Sequence, residues 1–118
     1  MCRLLGALAV APHTLGSLLG ERAVRQFREL SKFHDDGWGA AWTRSSGEVV
    51  CARTALAAYR DPGFQRHLDG LQSRLHLAHL RWASTGMSVV APNVHPFQVG
   101  AVTLAHNGYI APAEEVQE

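Results

Sequence analysis

The most informative stretch for the fold is residues 75–82, whose sequence is LHLAHLRW. Successive side chains of a strand point to opposite faces, and here apolar residues occupy both sets of positions. This pattern predicts a strand that is covered on both faces. His76 and His79 are three positions apart, so on a strand their side chains point to opposite faces. The rest of the chain must therefore supply neighbouring strands and covering layers.

Five further strands are predicted outward from this one, at residues 2–10, 38–43, 48–53, 97–99 and 101–105. The first is a short apolar run (CRLLGALAV) that we expect Pro12 to end. The second and third flank the turn cluster at residues 44–47 and form a predicted hairpin. The last two turn at Gly100.

Helical spacing of apolar residues predicts one helix over residues 14–33 and another over residues 61–73. Thr14 is a suitable N-cap for the first, while Asp61 and Pro62 suit the start of the second. Residues 111–118 resemble the first turn of a third helix, with carboxylates at its positive end. Residues 83–96 form a long loop, and loops of that length in compact domains are usually functional or disordered.

Composition sets broad limits on the class of protein. The chain has 118 residues, 47% hydrophobic and 18% charged, which indicates one globular domain or less. Eleven Lys and Arg residues against ten Asp and Glu give a net charge of +1 and no electrostatic reason to expect nucleic acid or a membrane as partner. No apolar run reaches the length of about 18 residues that a membrane span needs, and no secretion signal is present, so we expect the cytoplasm.

Two cysteines, Cys2 and Cys51, cannot build a disulfide framework, and a cytoplasmic setting disfavours a bridge between them. Cys2 follows the initiator Met, and removal of Met1 would leave it with a free α-amine. Such an amine has a pKa near 7.7–8.0 and can act as a base beside its own thiol. The alternative is that Cys2 is a small hydrophobic residue of the first strand.

Two other segments carry chemistry. Residues 81–86 read RWASTG, and the Arg81 guanidinium with the Ser84 hydroxyl could bind a carboxylate; the alternative is an Arg that covers Trp82 and holds its head in solvent. Residues 106–108 read HNG, which could present an amide side chain and a main-chain N–H as an oxyanion hole. Asn-Gly is also a common hairpin turn.

Taken together, five ordered motifs resemble the class II glutamine amidotransferases, which are N-terminal-nucleophile hydrolases. They are MCRLLG at residues 1–6, HDDGWG at 34–39, RWAS at 81–84, NVHPF at 93–97 and HNG at 106–108. The resemblance covers most of the chain and is greatest to the small, often stand-alone branch that includes the γ-glutamyl amidohydrolase of ergothioneine biosynthesis. It implies an α+β fold, an αββα sandwich of antiparallel sheets with flanking helices.

The resemblance also implies roles for residues. Cys2 would attack the γ-carbonyl of glutamine or a γ-glutamyl amide, and water would then hydrolyse the γ-glutamyl thioester to glutamate. Asn107 and Gly108 would hold the oxyanion. Substrate binding would fall to four residues: Arg81, Trp82 packed beneath it, Ser84 and His106. Gly37 to Gly39 would bring the second strand close to the nucleophile strand, His95 and Pro96 would shape the pocket loop, and Trp38 and Trp42 would belong to the core. No cofactor or metal is implied.

The chain departs from the family pattern in two respects. Thr85 stands where many synthase relatives have His, which argues against an ammonia-channelling synthase. The family's acidic residue for the substrate amino group lies well downstream of Asn-Gly, and Glu114 and Glu115 come too soon. We therefore expect residues 1–118 to be the N-terminal part of a glutamine amidotransferase type 2 domain, with an exposed sheet edge. A homo-oligomer or a synthase partner stays open.

Two rival functions remain. The first is metal binding, suggested by seven His residues with Asp35 and Asp36, but the chain has no His-x-x-x-His or Cys-x-x-Cys pair. The second is a catalytically inactive, truncated or regulatory module of the same fold that binds a partner. Reaction of Cys2 with a glutamine analogue would distinguish an enzyme from such a module.

Overall fold

A computed structural model describes residues 1–109 and shows an α+β chain with antiparallel sheets. The strands are β1 (Arg3–His13), β2 (Trp38–Thr43), β3 (Val49–Thr54), β4 (Ser73–Leu80), β5 (Phe97–Val99) and β6 (Val102–Leu104). The helices are α1 (Leu15–Leu19), α2 (Glu21–Leu30) and α3 (Pro62–Gly70), with short 3-10 turns at Ala58–Arg60 and Ala91–Asn93. The helix expected over residues 111–118 lies outside the described residues.

Strands β1 to β4 form one antiparallel sheet in the order β1-β4-β2-β3, and β5 pairs with β6 in a separate hairpin. The prediction for residues 75–82 is confirmed, because β4 lies inside the sheet between β1 and β2. The predicted hairpin of β2 and β3 is also confirmed. The expectation that Gly37 to Gly39 bring β2 against the nucleophile strand is wrong, since β4 separates β2 from β1.

The sheet has two unlike faces. The helix face carries Trp38, Ala40, Ala78 and Leu80, and the loop face carries Gly39, Ala41, Leu77 and His79. All three helices pack on the helix face, where Leu15, Phe27, Phe64 and Leu68 complete the buried core. Trp38 is 7% exposed and stacks edge-on against Phe64 at 5.1 Å, so its assignment to the core is confirmed.

The single helix expected over residues 14–33 is in fact two helices. Thr14 caps the first as predicted, accepting a hydrogen bond from the Ser17 N–H. The break falls at Gly20, whose φ of 80° lies in the region that only glycine enters readily. Periodicity alone cannot reveal this break, because the apolar spacing continues across it.

Strand β1 runs through Pro12 to His13, although Pro12 was expected to end it. The strand lies at an edge of the sheet, where a missing N–H costs no hydrogen bond on the open side. Its side chains on the loop face are exposed, with Leu8 at 81% and Val10 at 93%. Among residues 1–109, β1 is therefore an edge strand with exposed apolar side chains.

The loop face is partly covered by residues 91–104. Arg53 Nη1 donates to the carbonyl oxygens of Pro92 and Val94 at 3.4 Å, and the Gln98 side chain donates to the Val49 carbonyl oxygen at 3.2 Å. This cover places the predicted pocket loop above β2 and β3. No helix within residues 1–109 has the length and apolar character needed to cross a bilayer.

Candidate active site

The Cys2 thiol lies at the end of β4, against the main chain of Trp82. The Trp82 N–H donates to Cys2 Sγ at 3.3 Å, and Sγ lies 3.5 Å from the Trp82 carbonyl oxygen. Arg3 Nη1 donates to the Met1 and Cys2 carbonyl oxygens at 3.1 Å each. These contacts hold the sulfur in place while Met1, 79% exposed, projects into solvent.

Arg81 follows β4 and is buried, with 4% of its surface exposed. Its Nη1 atom has no hydrogen-bond partner among residues 1–109. The alternative, in which the head of Arg81 lies in solvent, is therefore wrong. A buried guanidinium with an unused donor is costly on its own, so the arrangement favours a site that an anion completes.

The HDDGWG motif positions Arg81 through main-chain contacts. The Arg81 N–H donates to the Gly37 carbonyl oxygen at 2.9 Å, and the Asp36 N–H donates to the Arg81 carbonyl oxygen at 3.2 Å. The Asp36 carboxylate accepts from the Ala83 N–H at 2.7 Å. Gly37 has a φ of 116°, and a side chain there would meet the Thr54 carbonyl oxygen. This motif thus fixes the turn that carries Arg81.

The packing of Trp82 beneath Arg81 stays a prediction. The Trp82 indole is 51% exposed, and its ring meets the His34 ring edge-on at 5.4 Å. His34 is buried, and its Nδ1 lies 2.8 Å from the Leu30 carbonyl oxygen at the end of α2. Trp82 forms part of the mouth of the site.

A cavity of about 330 Å³ brings most of the predicted site residues together. Cys2, Arg81, Trp82, Ser84, His106 and Gly108 all line it. Asn107 is exposed and is not among the lining residues, although both of its neighbours are. Gly108 has a φ of 149°, which a residue with a side chain rarely adopts. The chain therefore bends at Gly108 beside the thiol.

The sequence predicts no role for His79 and predicts that His95 shapes the pocket loop. Both line the cavity, and His95 Nδ1 lies 3.3 Å from His79 Nε2. Burial, with neighbouring His95, lowers the pKa of His79 to about 4, and burial with neighbouring His106 lowers the pKa of His95. The NVHPF motif was the available signal for His95, whereas His79 looks like any residue of a buried strand.

The second cysteine is remote from this chemistry. Cys51 lies on β3 and donates its thiol to the Pro96 carbonyl oxygen at 3.3 Å. Burial raises its thiol pKa. Both cysteines are free thiols in the described structure.

A larger cleft of about 670 Å³ opens on the helix face between β2, β3 and α3, with Trp38, Trp42 and His67 among its walls. It contains no cysteine, and His67 is neutral near pH 7 because burial and then His76 lower its pKa to about 4. The smaller cavity, with its thiol and buried cation, is the better candidate for chemistry. Within residues 1–109, no group of three or more His, Cys, Asp or Glu side chains is placed to hold a metal ion.

Comparison with known proteins identifies the family of the chain. The model of the class II glutamine amidotransferase family matches residues 1–117, so the chain belongs to that family. The γ-glutamyl-hercynylcysteine sulfoxide hydrolase of Mycolicibacterium smegmatis is 33% identical over 75 residues. That alignment covers 64% of this chain and 33% of the relative, so the chain spans about a third of the length of the protein it matches.

Proposed function

We propose that the chain provides the glutaminase site of an amidohydrolase that acts on glutamine or a γ-glutamyl amide. The observation that carries this proposal is the buried Arg81, whose Nη1 has no partner within residues 1–109, in the same cavity as the Cys2 thiol. A guanidinium fork matches a carboxylate with two parallel hydrogen bonds. It would bind the α-carboxylate of a γ-glutamyl group, which leaves the γ-carbonyl for the sulfur.

Cys2 is the proposed nucleophile. Removal of the exposed Met1 frees the α-amine, which takes the thiol proton as Sγ bonds to the γ-carbonyl carbon. The amine then returns that proton to the leaving nitrogen as the C–N bond breaks, and ammonia or an amine departs. Water attacks the γ-glutamyl thioester, the C–S bond breaks, and glutamate leaves with the thiol restored.

Asn107 and Gly108 are the proposed oxyanion donors. His106 and Gly108, the two neighbours of Asn107, line the cavity, and the φ of 149° at Gly108 supports a bend of the chain at this point. Two neutral donors placed where negative charge develops lower the barrier, and loss of one donor in a measured case costs about 10²–10³ in rate. Ser84 and His106 complete the wall that faces the substrate.

The αββα sandwich is the proposed complete architecture, with residues 1–118 as its N-terminal part. The helix face already carries one helical layer, and the loop face exposes Leu8 and Val10. An apolar strand surface of this kind is what a second sheet covers in a two-sheet core. The relative's greater length is consistent with such a layer.

Glutamate release from glutamine and from a γ-glutamyl conjugate tests the proposal. We expect release by the wild-type protein after Met1 removal, and none above background by Cys2→Ser. Cys51→Ser is the matched control, since it keeps a donor for the Pro96 carbonyl oxygen and lies outside the cavity; it should retain activity. Release by Cys2→Ser at the wild-type rate would contradict the mechanism. Failure of the wild type on both substrates would favour the inactive, partner-binding module.

A further inference from the structure

Three histidines from separate parts of the chain form a row beside the candidate site. His79 lies on β4 and is 1% exposed, and its ring centroid is 4.7 Å from that of His95. The His95 ring is in turn 4.7 Å from the His106 ring. His106 directly precedes the proposed oxyanion donors, so the row joins the sheet to the segment that carries them.

The sheet and the pocket loop determine where His95 lies. The His95 carbonyl sits against Gly39 of β2 so closely that a side chain at that position would overlap it. Arg53 Nη1 binds the Val94 carbonyl oxygen at 3.4 Å, and the Cys51 thiol binds the Pro96 carbonyl oxygen at 3.3 Å. Contacts on both sides of His95 therefore hold its main chain, and the ring has a defined place between His79 and His106.

The two inner histidines are neutral near pH 7, because burial and the adjacent charges lower both of their pKa values. The titratable and charged groups that face them are His106, Arg81 and, for His95, Arg53. A neutral imidazole has one donor and one acceptor, so His79 Nε2 and His95 Nδ1 can share a hydrogen bond across the 3.3 Å that separates them. The His95 ring in turn packs against the His106 ring.

We infer that His79 and His95 are positioning residues that hold the His106 ring in place and thereby aim the Asn107 amide and the Gly108 N–H at the substrate carbonyl. This inference rests on the proposed function for its kinetic consequence. The placement of the segment itself does not depend on turnover. Oxyanion donors act only when they are held at the place where charge develops, which gives the row a reason to be rigid.

The kinetic test compares His95→Ala and His79→Leu with the wild type in glutamate release. We expect kcat to fall about 10²-fold and KM to change less than about twofold, since the donors act in the transition state. Alkylation of Cys2 by iodoacetamide should keep its wild-type rate, because that displacement forms no oxyanion. His95→Asn and His79→Gln retain a polar group near the contacting nitrogen and should recover part of kcat.

The control is His76→Gln, which removes a buried histidine from the same strand on the opposite face. It should leave kcat unchanged. Wild-type kcat in both His95→Ala and His79→Leu would overturn the inference, and so would an equal fall in kcat and in Cys2 alkylation. Partial recovery of kcat in His95→Asn and His79→Gln would show that the polar contact matters, and that filling the space of the ring is not sufficient.

A second measurement needs no activity. Backbone ¹⁵N order parameters of Asn107 and Gly108 should be near the rigid value of about 0.85 in the wild type and fall below about 0.6 in His95→Ala. They should not fall in His76→Gln. Unchanged order parameters in His95→Ala would overturn the positioning role even if glutamate is released. If the wild type releases no glutamate but the order parameters still fall in His95→Ala, the result would contradict the proposed function and support the positioning role.

Discussion

At the scale of single residues, Arg81 is the group that most constrains the function. Arg81 is 4% exposed, and its Nη1 has lost water without gaining an acceptor among residues 1–109. A folded protein keeps such a group at a cost in stability, and a ligand anion can recover that cost. An Arg81 side chain exposed to solvent would give no indication of a bound anion.

Arg81→Gln should raise KM for glutamine by about 10- to 100-fold, because hydrogen bonds to charged groups contribute about 1.5–3 kcal/mol. The kcat should change less, since the carboxylate is bound in both the ground state and the transition state. Steady-state kinetics of glutamate release measure both constants. Arg44→Gln, which removes an exposed partner of Glu48, is the control and should leave KM unchanged. An unchanged KM in Arg81→Gln would remove Arg81 from the binding site.

Gly39 is a second residue whose position leaves no room for a side chain. A Cβ at this position overlaps the His95 carbonyl oxygen, and backbone cannot move aside as a flexible side chain can. Gly39→Ala should lower the free energy of unfolding by about 1–3 kcal/mol, measured by urea denaturation. Gly6→Ala on the edge strand β1 meets no atom within 4 Å and should be close to neutral. Equal effects of the two substitutions would show that the pocket loop does not press on β2.

At the scale of elements, α3 depends on Asp61. The Asp61 carboxylate caps the helix by accepting from the Gly63 N–H at 2.8 Å, and it also accepts from Trp38 Nε1 at 2.9 Å. One side chain therefore fastens the helix to the sheet. Asp61→Ala removes both acceptors and leaves the indole N–H without a partner.

Asp61→Ala should lower the free energy of unfolding by about 1–3 kcal/mol, more than a cap alone contributes. Asp61→Asn keeps an acceptor for the Gly63 N–H and should lose less. Thr14→Ala removes only the cap of the short helix α1 and should cost about 1 kcal/mol. Thermal or urea unfolding of the three variants ranks their losses of unfolding free energy. A smaller loss for Asp61→Ala than for Thr14→Ala would contradict the double role.

The elements also show how far local patterns reach. The strands at residues 38–43 and 97–99 and the caps at Thr14 and Asp61 follow from alternation and capping chemistry, which are local properties. The break at Gly20 and the passage of β1 through Pro12 depend on backbone angle and on position in the sheet. The order β1-β4-β2-β3 is a property of long-range pairing, which no window of sequence contains.

At the scale of the whole molecule, two neutral histidines link stability to pH. His67 and His79 lie on opposite faces of the sheet, and burial lowers both of their pKa values to about 4. The unfolded chain binds protons at these residues below about pH 6.5, while the folded chain does not until about pH 4. Protonation therefore favours the unfolded state across that window, and the stability present above pH 6.5 is lost as the pH falls.

The free energy of unfolding should fall between pH 6.5 and pH 4 by about 1.4 kcal/mol per pH unit for each of the two histidines. His67→Gln should reduce that slope by about one proton, while His13→Gln, at an exposed position, should not change it. Urea denaturation at several pH values measures the slope. A slope in His67→Gln equal to that of the wild type would show that His67 does not remain neutral in the folded chain.

The candidate site is likewise a property of the whole molecule. Its motifs are separated by tens of residues, and each has an ordinary local explanation. The order and combination of the motifs, and not any one of them, predicted a shared site. In the structure Cys2, Arg81 and Gly108 line the same cavity. His79 could not be selected in this way, because its partner His95 arrives from a loop 16 residues later.

The most direct test of the central claim is peptide mass spectrometry after treatment with a diazoketone analogue of glutamine. The diazo carbon takes up the thiol proton, and the thiolate then displaces N₂ and forms a C–S bond. We expect one adduct, on an N-terminal peptide that begins with Cys2, and none on Cys51, whose burial raises its thiol pKa. An N-terminal peptide that retains Met1, or an unmodified Cys2 in the presence of excess reagent, would contradict it.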